Sequence, residues 1–317
     1  MPDSDSGRGA LYEVAVDWAP AYELTVSLEA FRADRVRKTL DCGRDWVAAV
    51  RRQLPPDVPA KLRAAEGVPG SLPPFLVLQC PEPRDAEGLL GWLTSLSVGD
   101  LFELAAAHVP EGARGLDPKL GALRDRMARD LDLWNRHYFR HIDKAILQGL
   151  EAEAAARKAE LAAAGRDPDP EAFVEGVTSG MVFEPHPGLQ RIYLVPQHHF
   201  RPINLYDRYR TSVVDLYPAD AVAPASGRPP HGLVRLTRAL GDEGRLRMLR
   251  ALAEKERTFT DMVRLTGLAK STVYHHLVIL RSAGLLRVRV ACGGSDRYSF
   301  RPGSLNDLQT GLKGFLQ

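Results

Sequence analysis

The sequence predicts a mainly α-helical protein with minor β structure. A larger helical N-terminal domain contains a small β-hairpin, and a smaller C-terminal domain has short helices followed by a second hairpin. Three observations predict this class: apolar residues recur at 3- and 4-residue spacing through most of the chain, alternation of apolar and charged residues is confined to short segments, and charge is unevenly divided. A length of 317 residues is sufficient for two domains with a core each.

Composition excludes several classes of protein. Hydrophobic residues at 44% and charged residues at 26% are ordinary values, so the chain is expected to be globular. No run of 18 apolar residues occurs and the first residues lack the order of a secretory signal, which predicts a cytoplasmic protein without a membrane segment. The three cysteines, Cys42, Cys80 and Cys292, are far apart, so neither a disulfide framework nor a CxxC metal site is expected.

A proline- and glycine-rich run from Pro218 to Gly232 marks the predicted boundary between domains at residues 1–225 and 226–317. Residues 231–301 carry 14 Lys and Arg against 6 Asp and Glu, a net charge of +8. Residues 1–230 carry 27 against 33, a net charge of −6. A basic domain attached to an acidic one indicates that the basic domain meets a polyanion such as nucleic acid, although a solvated face with no partner would carry the same charge.

Four short helices are predicted in the basic domain. Leucines within residues 233–240 form one helical stripe, and those within residues 243–256 form a second. Thr258 and Asp261 provide the T-x-x-D start of a short third helix, which Gly267 ends. A tight turn leads to a fourth helix over residues 271–283, so the last two helices flank a turn.

The solvent side of the fourth helix is the predicted DNA-reading surface. Its side chains are short or planar groups that can donate to, accept from or touch base edges, and cationic groups at both ends can meet phosphates. We predict DNA contact by six residues of this segment: Lys270, Ser271, Thr272, Tyr274, His275 and Arg281.

A two-stranded hairpin is predicted after Gly284. Apolar Leu286, Val288 and Val290 alternate with arginines, a glycine pair turns the chain, and a second strand returns to Arg301. Guanidinium groups fork onto phosphate oxygens or enter a narrow minor groove. We therefore predict DNA contact by three arginines of the hairpin: Arg287, Arg289 and Arg297.

These residues carry a family resemblance. The segment that begins ALGDEGRLRML and continues through STVYHHL to RSAGLL resembles the ArsR-type winged helix-turn-helix transcriptional regulators, over about 70 residues or under a quarter of the chain. The resemblance implies a DNA-binding homodimer that presents two recognition helices to successive major grooves of a near-palindromic operator. It also implies DNA contact by Lys270, Ser271, Thr272, Tyr274 and His275, with Arg289 and Arg297 on the wing.

The sequence departs from that family in two ways. Ala269 stands where the family usually has serine, so the hydroxyl that would cap the recognition helix is missing and Ser271 is a candidate for that role. Residues 258–263 contain no cysteine and residues 302–317 no histidine, so we predict no metal site and no cofactor. His275 and its neighbour His276 diverge by about 100° on a helix and are assigned to DNA contact and packing.

Residues 1–225 contain no motif that names a function. Residues 119–165 keep helical spacing without a proline and predict one very long helix or two nearly collinear ones. Residues 189–195 and 212–217 predict the two strands of a small hairpin. The polar side chains between these strands are candidates for binding an anionic or aromatic effector, although a loop packed on its own domain is the simpler interpretation. They are His198, Arg201, Tyr206, Arg208 and Tyr209.

The sequence therefore predicts a transcription regulator and not an enzyme. We expect a homodimeric repressor whose N-terminal domain senses a small-molecule effector or sets the dimer, with double-stranded DNA, a second copy of itself and that effector as partners. Repression is favoured because occupying an operator is sufficient to block polymerase. The alternative is an enzyme that acts on a small molecule through its N-terminal domain, although no G-x-S-x-G or P-loop motif is present. A winged helix used only for protein contacts is a third alternative.

Overall fold

The structure, a computed structural model, describes residues 12–34, 36–62, 72–106, 119–164, 169–220 and 227–317. These residues are mainly helical, as the sequence predicts, and include two four-stranded sheets. They separate into two compact units. The N-terminal unit contains residues 14–34, 36–62, 72–106, 119–162 and 188–220. The C-terminal unit contains Tyr12, Glu13 and residues 163–164, 169–187 and 227–317.

Helices build most of the N-terminal unit. Within its described residues they are α1 (Pro20–Arg32), α2 (Gly43–Gln53), α3 (Val58–Lys61), α4 (Leu72–Gln79), α5 (Ala86–Ser95), α6 (Val98–Ala106), α7 (Leu120–His137) and α8 (Lys144–Ala163). Helix α1 is buried around most of its circumference, which is typical of a central core helix. Helix α7 packs on it through Trp134, which is fully buried and whose Nε1 donates to Ser27 Oγ at 2.9 Å.

The long helical segment predicted over residues 119–165 is divided into α7 and α8. A 3-10 turn at Phe139–His141 separates the two helices. The side chain of Phe139 is buried in the core, and Asp143 Oδ1 accepts from the backbone N–H of Ala145 at 2.9 Å, which satisfies an amide at the start of α8. Helical periodicity continues across this break, so the spacing of apolar residues alone does not locate it.

The sheet of the N-terminal unit has the strand order β1-β3-β5-β4, with β1 at Glu13–Val16, β3 at Arg191–Gln197, β4 at Leu205–Arg208 and β5 at Ser212–Pro218. Strands β3 and β5 pair in parallel, with Ile192 opposite Val213. The hairpin predicted between residues 189–195 and 212–217 is therefore wrong in its pairing. Strand β4, antiparallel to β5, forms the hairpin instead. Strand β5 is buried on both faces, as central parallel strands usually are.

The C-terminal unit follows a helix-rich order with a second sheet. Its elements are α9 (Pro170–Thr178), β2 (Met181–Phe183), α10 (His231–Leu240), α11 (Glu243–Glu254), β6 (Arg257–Thr258), α12 (Phe259–Thr266), α13 (Lys270–Ser282), β7 (Leu286–Val290), β8 (Arg297–Phe300) and α14 (Gly303–Leu316). Helices α10 to α13 and strands β7 and β8 lie where the apolar spacing predicts them.

The second sheet has the strand order β2-β7-β8-β6. Strands β7 and β8 form an antiparallel hairpin, with Val288 opposite Tyr298. Strand β2 adds to the outer edge of β7 in parallel, with Val182 opposite Arg289. All three residues of β2 are buried, so this strand belongs to the core of the C-terminal unit. The sequence-based division after residue 225 did not anticipate that residues 169–187 group with this unit.

No single helix in the described part of the chain has the length and apolarity needed to span a membrane. Helices α5 and α6 meet these requirements only when taken together, and they are bent by 107° relative to each other. Leu89 and Leu93 of α5 and Leu101 of α6 are buried in the core of the N-terminal unit.

Candidate nucleic-acid interface

Helices α12 and α13 flank a tight turn whose local sequence defines both ends. Thr258 and Asp261 form a capping box at the start of α12: Thr258 Oγ1 accepts from the Asp261 amide, and Asp261 Oδ2 accepts from the Thr258 amide at 3.0 Å. Gly267 ends α12 with a φ of +65°, a conformation that glycine adopts without strain. These signals fix where α13 begins.

Helix α13 has one buried and one exposed side. Val273, Leu277 and Leu280 are buried and pack into the C-terminal unit. Five predicted DNA-contacting residues are exposed: Lys270, Ser271, Thr272, Tyr274 and His275. Tyr274 is 63% exposed, which is high for an aromatic residue. The structure thus brings these five side chains together on one accessible surface.

Arg281, the sixth predicted residue of this helix, lies in a different environment. It is half-buried, and its Nη2 lies 3.1 Å from the sulfur of Met181 on β2. Arg281 therefore contacts the core of the C-terminal unit in this structure. Its DNA contact remains a prediction.

The N-terminus of α13 lacks a side-chain cap. Ala269, at the N-cap position, contributes only its carbonyl oxygen, which accepts from the amides of Thr272 and Val273 at 2.9 and 3.0 Å. Within the described residues, the hydroxyl of Ser271 forms no hydrogen bond, so the capping role predicted for it has no support. Amides at an uncapped helix N-terminus are suited to bind a phosphate oxygen.

The hairpin arginines form ion pairs with glutamates of their own chain. Arg289 forms a two-pronged pair with Glu171 of α9, at 3.3 Å from Nη1 to Oε2 and 3.1 Å from Nη2 to Oε1. Its Nε is also 3.5 Å from Glu256. Arg287 Nη2 lies 2.6 Å from Glu175, on the next turn of the same helix. The hydrogen bond to Glu171 raises the pKa of Arg289.

Arg297 completes this cluster. It lies directly opposite Arg289 in the hairpin, and its Nη2 is 2.8 Å from Glu184, while its Nε is 3.6 Å from Glu256. Among the described residues, three arginines of the hairpin thus face four carboxylates: Glu171, Glu175, Glu184 and Glu256. We call these seven residues the hairpin ion cluster. DNA contact by the three arginines stays a prediction, and no pattern in the sequence indicated these carboxylates, three of which are more than 100 positions away.

The residues predicted to bind an effector lie mostly in internal contacts of the N-terminal unit. Arg201 is buried, its Nε donates to the carbonyl of His198 at 3.1 Å, and its Nη1 lies 2.6 Å from Asp220. The ring of Tyr209 packs on Phe75 at 5.0 Å between centroids. Tyr206 and Arg208 are half-buried on β4. These contacts support the interpretation of a loop packed on its own domain.

A buried polar network that the sequence did not reveal lies beside this loop. Glu23 of α1 is fully buried and accepts from the backbone amides of His198 and His199 at 3.0 Å and from His199 Nδ1 at 2.5 Å. His199 Nε2 lies 2.6 Å from Tyr138 Oη, which accepts from Trp46 Nε1 at 3.0 Å. This chain of hydrogen bonds ties the loop to α1, α2 and the turn after α7.

A cleft along α7 is the other feature of this unit that the sequence did not reveal. It encloses about 430 Å³ and is lined by Lys61, Arg126, Arg129, Asp130, Asp132, Leu133 and Arg136. Lys61 and Arg136 are already paired with Asp57 and Asp132, whereas Arg129 is exposed and forms no ion pair within the described residues. The described residues contain no group of three or more His, Cys, Asp or Glu side chains that could hold a metal ion.

Comparison with known proteins identifies part of the C-terminal unit. Residues 242–288 match the family of bacterial regulatory proteins of the arsR type. The match extends from the start of α11 into β7. A crystal structure of M. tuberculosis Rv0081 is also similar, with 25% sequence identity and a TM-score of 0.22, over 26% of this chain and 83% of that one. No curated protein matches the chain.

Proposed function

Because residues 242–288 form an ArsR-family regulatory domain, we propose that this protein is a sequence-specific, DNA-binding transcription repressor. The recognition helix is α13, and the β7–β8 hairpin is the wing of a winged helix-turn-helix. The observation that carries the proposal is the exposed face of α13, where Lys270, Tyr274 and His275 are accessible while the opposite face is buried. Such a face fits the major groove and can read base edges.

The phosphate contacts proposed for α13 come from its N-terminus. Lys270 is exposed at the first position of the helix, beside backbone amides without a side-chain cap. Both features favour an anion at this point. With a phosphate bound here, Tyr274, one helical turn further along, would face the base edges in the major groove.

A homodimer is the proposed assembly, and α14 supports it. This helix packs on α10 and leaves four large apolar side chains exposed: Leu305, Leu312, Phe315 and Leu316. Leu305, Leu312 and Leu316 are spaced by 7 and 4 residues and therefore share one face of the helix. An exposed apolar face of this kind is typical of a protein–protein interface. A second copy of the chain, placed by a two-fold axis, would cover it.

The N-terminal unit is proposed to sense an effector or to set the dimer. Its α7 cleft is lined by four cations and two carboxylates, and among the described residues its exposed Arg129 forms no ion pair, so it suits an anionic small molecule better than the internally bonded loop around His198 and Arg201. Binding of the effector there would change the DNA affinity, and the effector would be released chemically unaltered. We place this regulation in the cytoplasm. An effector can shift the equilibrium only as far as its affinities for the DNA-binding and non-binding states differ.

Selection of bound sequences from random duplexes, followed by titration against salt, tests the proposal. We expect an enriched, near-palindromic sequence. For 6 to 10 phosphate contacts, the affinity should fall roughly 10³- to 10⁵-fold between about 50 and 200 mM salt. A selection without enrichment together with a salt-independent response would overturn DNA recognition. A reporter gene carrying the selected operator tests the sign, since repression requires higher expression when the protein is absent.

A further inference from the structure

Helix α9 packs on β2, and two of its glutamates reach arginines of β7 in the β7–β8 hairpin. Arg287 and Arg289 are two residues apart on β7 and therefore project from the same face, and Glu175 and Glu171 of α9 are four residues apart and therefore share one side of that helix. Each arginine meets one of these carboxylates. The distance along β7 between Arg287 and Arg289 thus matches the distance along α9 between Glu175 and Glu171.

The segment that contains α9 is strongly acidic. Residues 163–187 carry five Asp and Glu, Asp167, Asp169, Glu171, Glu175 and Glu184, against one cation, Arg166, a net charge of −4. This segment meets the most basic hairpin of the chain. A guanidinium whose fork is occupied by a carboxylate cannot form the same two-pronged contact with a phosphate.

One end of the segment is firmly anchored in the C-terminal unit. Strand β2 is buried at Met181, Val182 and Phe183 and pairs with β7. Gly180, immediately before it, accepts from the Val288 amide at 2.7 Å, and a Cβ at this glycine would lie 2.1 Å from the carbonyl oxygen of Leu286. The backbones are therefore in direct contact, and β2 is a buried, hydrogen-bonded strand of the sheet.

The N-terminal part of α9 is less buried, since Pro170, Glu171 and Phe173 are half-buried and Ala172 is exposed. The buried residues of α9 are Val174 at its middle and Val177 and Thr178 at its C-terminal end. Ser179 and Gly180, between α9 and β2, have φ values of +57° and +123°, so the chain turns sharply there. At its N-terminal end, α9 follows α8 in the chain, whose residues up to Ala162 belong to the N-terminal unit.

We propose that α9 is an autoinhibitory cover, which pivots at Ser179 and competes through Glu171 and Glu175 with DNA phosphates for Arg287 and Arg289. The described arrangement is then the state of low DNA affinity. An effector that binds more tightly when α9 is displaced would raise the DNA affinity, while β2 stays paired with β7. This inference rests on the proposed DNA-binding function.

Replacing the two α9 glutamates by uncharged glutamines tests this proposal in the full-length protein. The double variant Glu171→Gln and Glu175→Gln keeps the shape of α9 and removes both competing charges. We expect its affinity for the selected operator to rise roughly 3- to 30-fold, and the slope of log affinity against log salt to steepen by about 0.9 for each arginine that gains a phosphate. The matched control is Glu151→Gln with Glu160→Gln, which removes the same charge from exposed positions on α8.

A mutant cycle that combines Arg289→Gln with the double variant distinguishes competition for DNA from an ion pair that only stabilises the fold. Because Glu171 already holds Arg289, this substitution should reduce operator affinity several-fold less in the otherwise unchanged protein than in the Glu171→Gln, Glu175→Gln background. In the Glu171→Gln, Glu175→Gln background it should remove most of the gained affinity. Thermal unfolding checks that every variant is folded. If the double variant binds DNA like its control, or Arg289→Gln weakens binding equally in both backgrounds, α9 is no competitor. If no form binds any duplex, the proposed function itself fails.

Discussion

Val273 and Tyr274 are neighbours on α13 with opposite environments: Val273 is completely buried, whereas Tyr274 is 63% exposed. Consecutive residues of a helix are separated by about 100°, so the two side chains project from different sides of the helix. The same helix therefore contributes to the core through one residue and presents a free surface through the next. Stability and recognition can be measured separately on this pair.

Tyr274→Ala should weaken binding to the selected operator by about 1 to 3 kcal/mol and relax the sequence preference, because it removes a base contact. It should leave the unfolding free energy within about 0.5 kcal/mol, since the residue is exposed. Val273→Ala, the matched substitution, should cost about 1 to 3 kcal/mol of stability by deleting buried methyl groups. Titration with the operator duplex measures the affinity, and denaturant unfolding measures the free energy of unfolding. An unchanged operator affinity for Tyr274→Ala would exclude it from the interface.

Leu312→Glu combined with Phe315→Glu should separate the proposed dimer into monomers. Two carboxylates would have to be buried without partners against the second copy, which costs far more than the lost apolar contact. Light scattering across a concentration series measures the mass. Thr310→Glu, an exposed position on the other side of α14, is the control and should remain dimeric. A monomeric starting protein, or a double variant with unaltered mass, would contradict this use of α14.

Asp207 should make stability depend on pH in an identifiable way. Burial raises the pKa of this carboxyl from 3.8 to about 6. The folded state therefore binds the proton more tightly than the unfolded state, so the stabilisation is complete below about pH 4 and is lost as the pH rises through about 6. Asp207→Asn, which mimics the neutral form, should match the original protein near pH 4 and exceed its melting temperature at pH 7.5. Asp45→Asn, at an exposed position, is the control. If the melting temperatures of Asp207→Asn and the original protein differ equally at pH 4 and pH 7.5, Asp207 does not titrate in this way.

Glu23 should be essential for the stability of the N-terminal unit. Glu23→Ala leaves two buried backbone amides and His199 Nδ1 without their acceptor, and each unsatisfied buried donor costs about 1 to 3 kcal/mol. The expected total is about 3 to 5 kcal/mol. Glu29→Ala, which removes a partly exposed carboxylate from the same helix, should cost less than about 1 kcal/mol. Denaturant unfolding compares them, and similar losses for both variants would show that the network contributes little.

The sequence predicts the local features of this fold well. The leucine spacing of α10 and α11, the Thr258–Asp261 start of α12 and the alternation of β7 are each set by residues within one element, where apolar burial and capping act. The exposed face of α13 follows from the same periodicity. These elements carry the candidate DNA-reading surface, which is why the exposure of its five α13 residues could be predicted from the sequence.

Contacts between distant segments could not be predicted in this way. The pairing of Met181 with Val288 joins residues more than 100 positions apart, and three buried residues of β2 show no alternation that would mark them as a strand. The partners of Arg287 and Arg289 are set by that pairing and by the turn at Ser179. The hydrogen bonds of Glu23 to the loop at His199 are likewise determined by packing. The spacing of residues along the sequence indicates which side chains are buried, but not which distant residue each of them contacts.

The edge position of β2 has a practical consequence for dissecting this protein. A fragment that starts after residue 225 would retain α10 to α14 yet lose β2, and the outer rim of β7 would then present unsatisfied amides and carbonyls next to bare apolar side chains. Such a rim recruits strands from other molecules, so the fragment should precipitate or form mixed aggregates. Grafting residues 169–187 onto it through a flexible tether should restore solubility, because the missing strand can then return to its place.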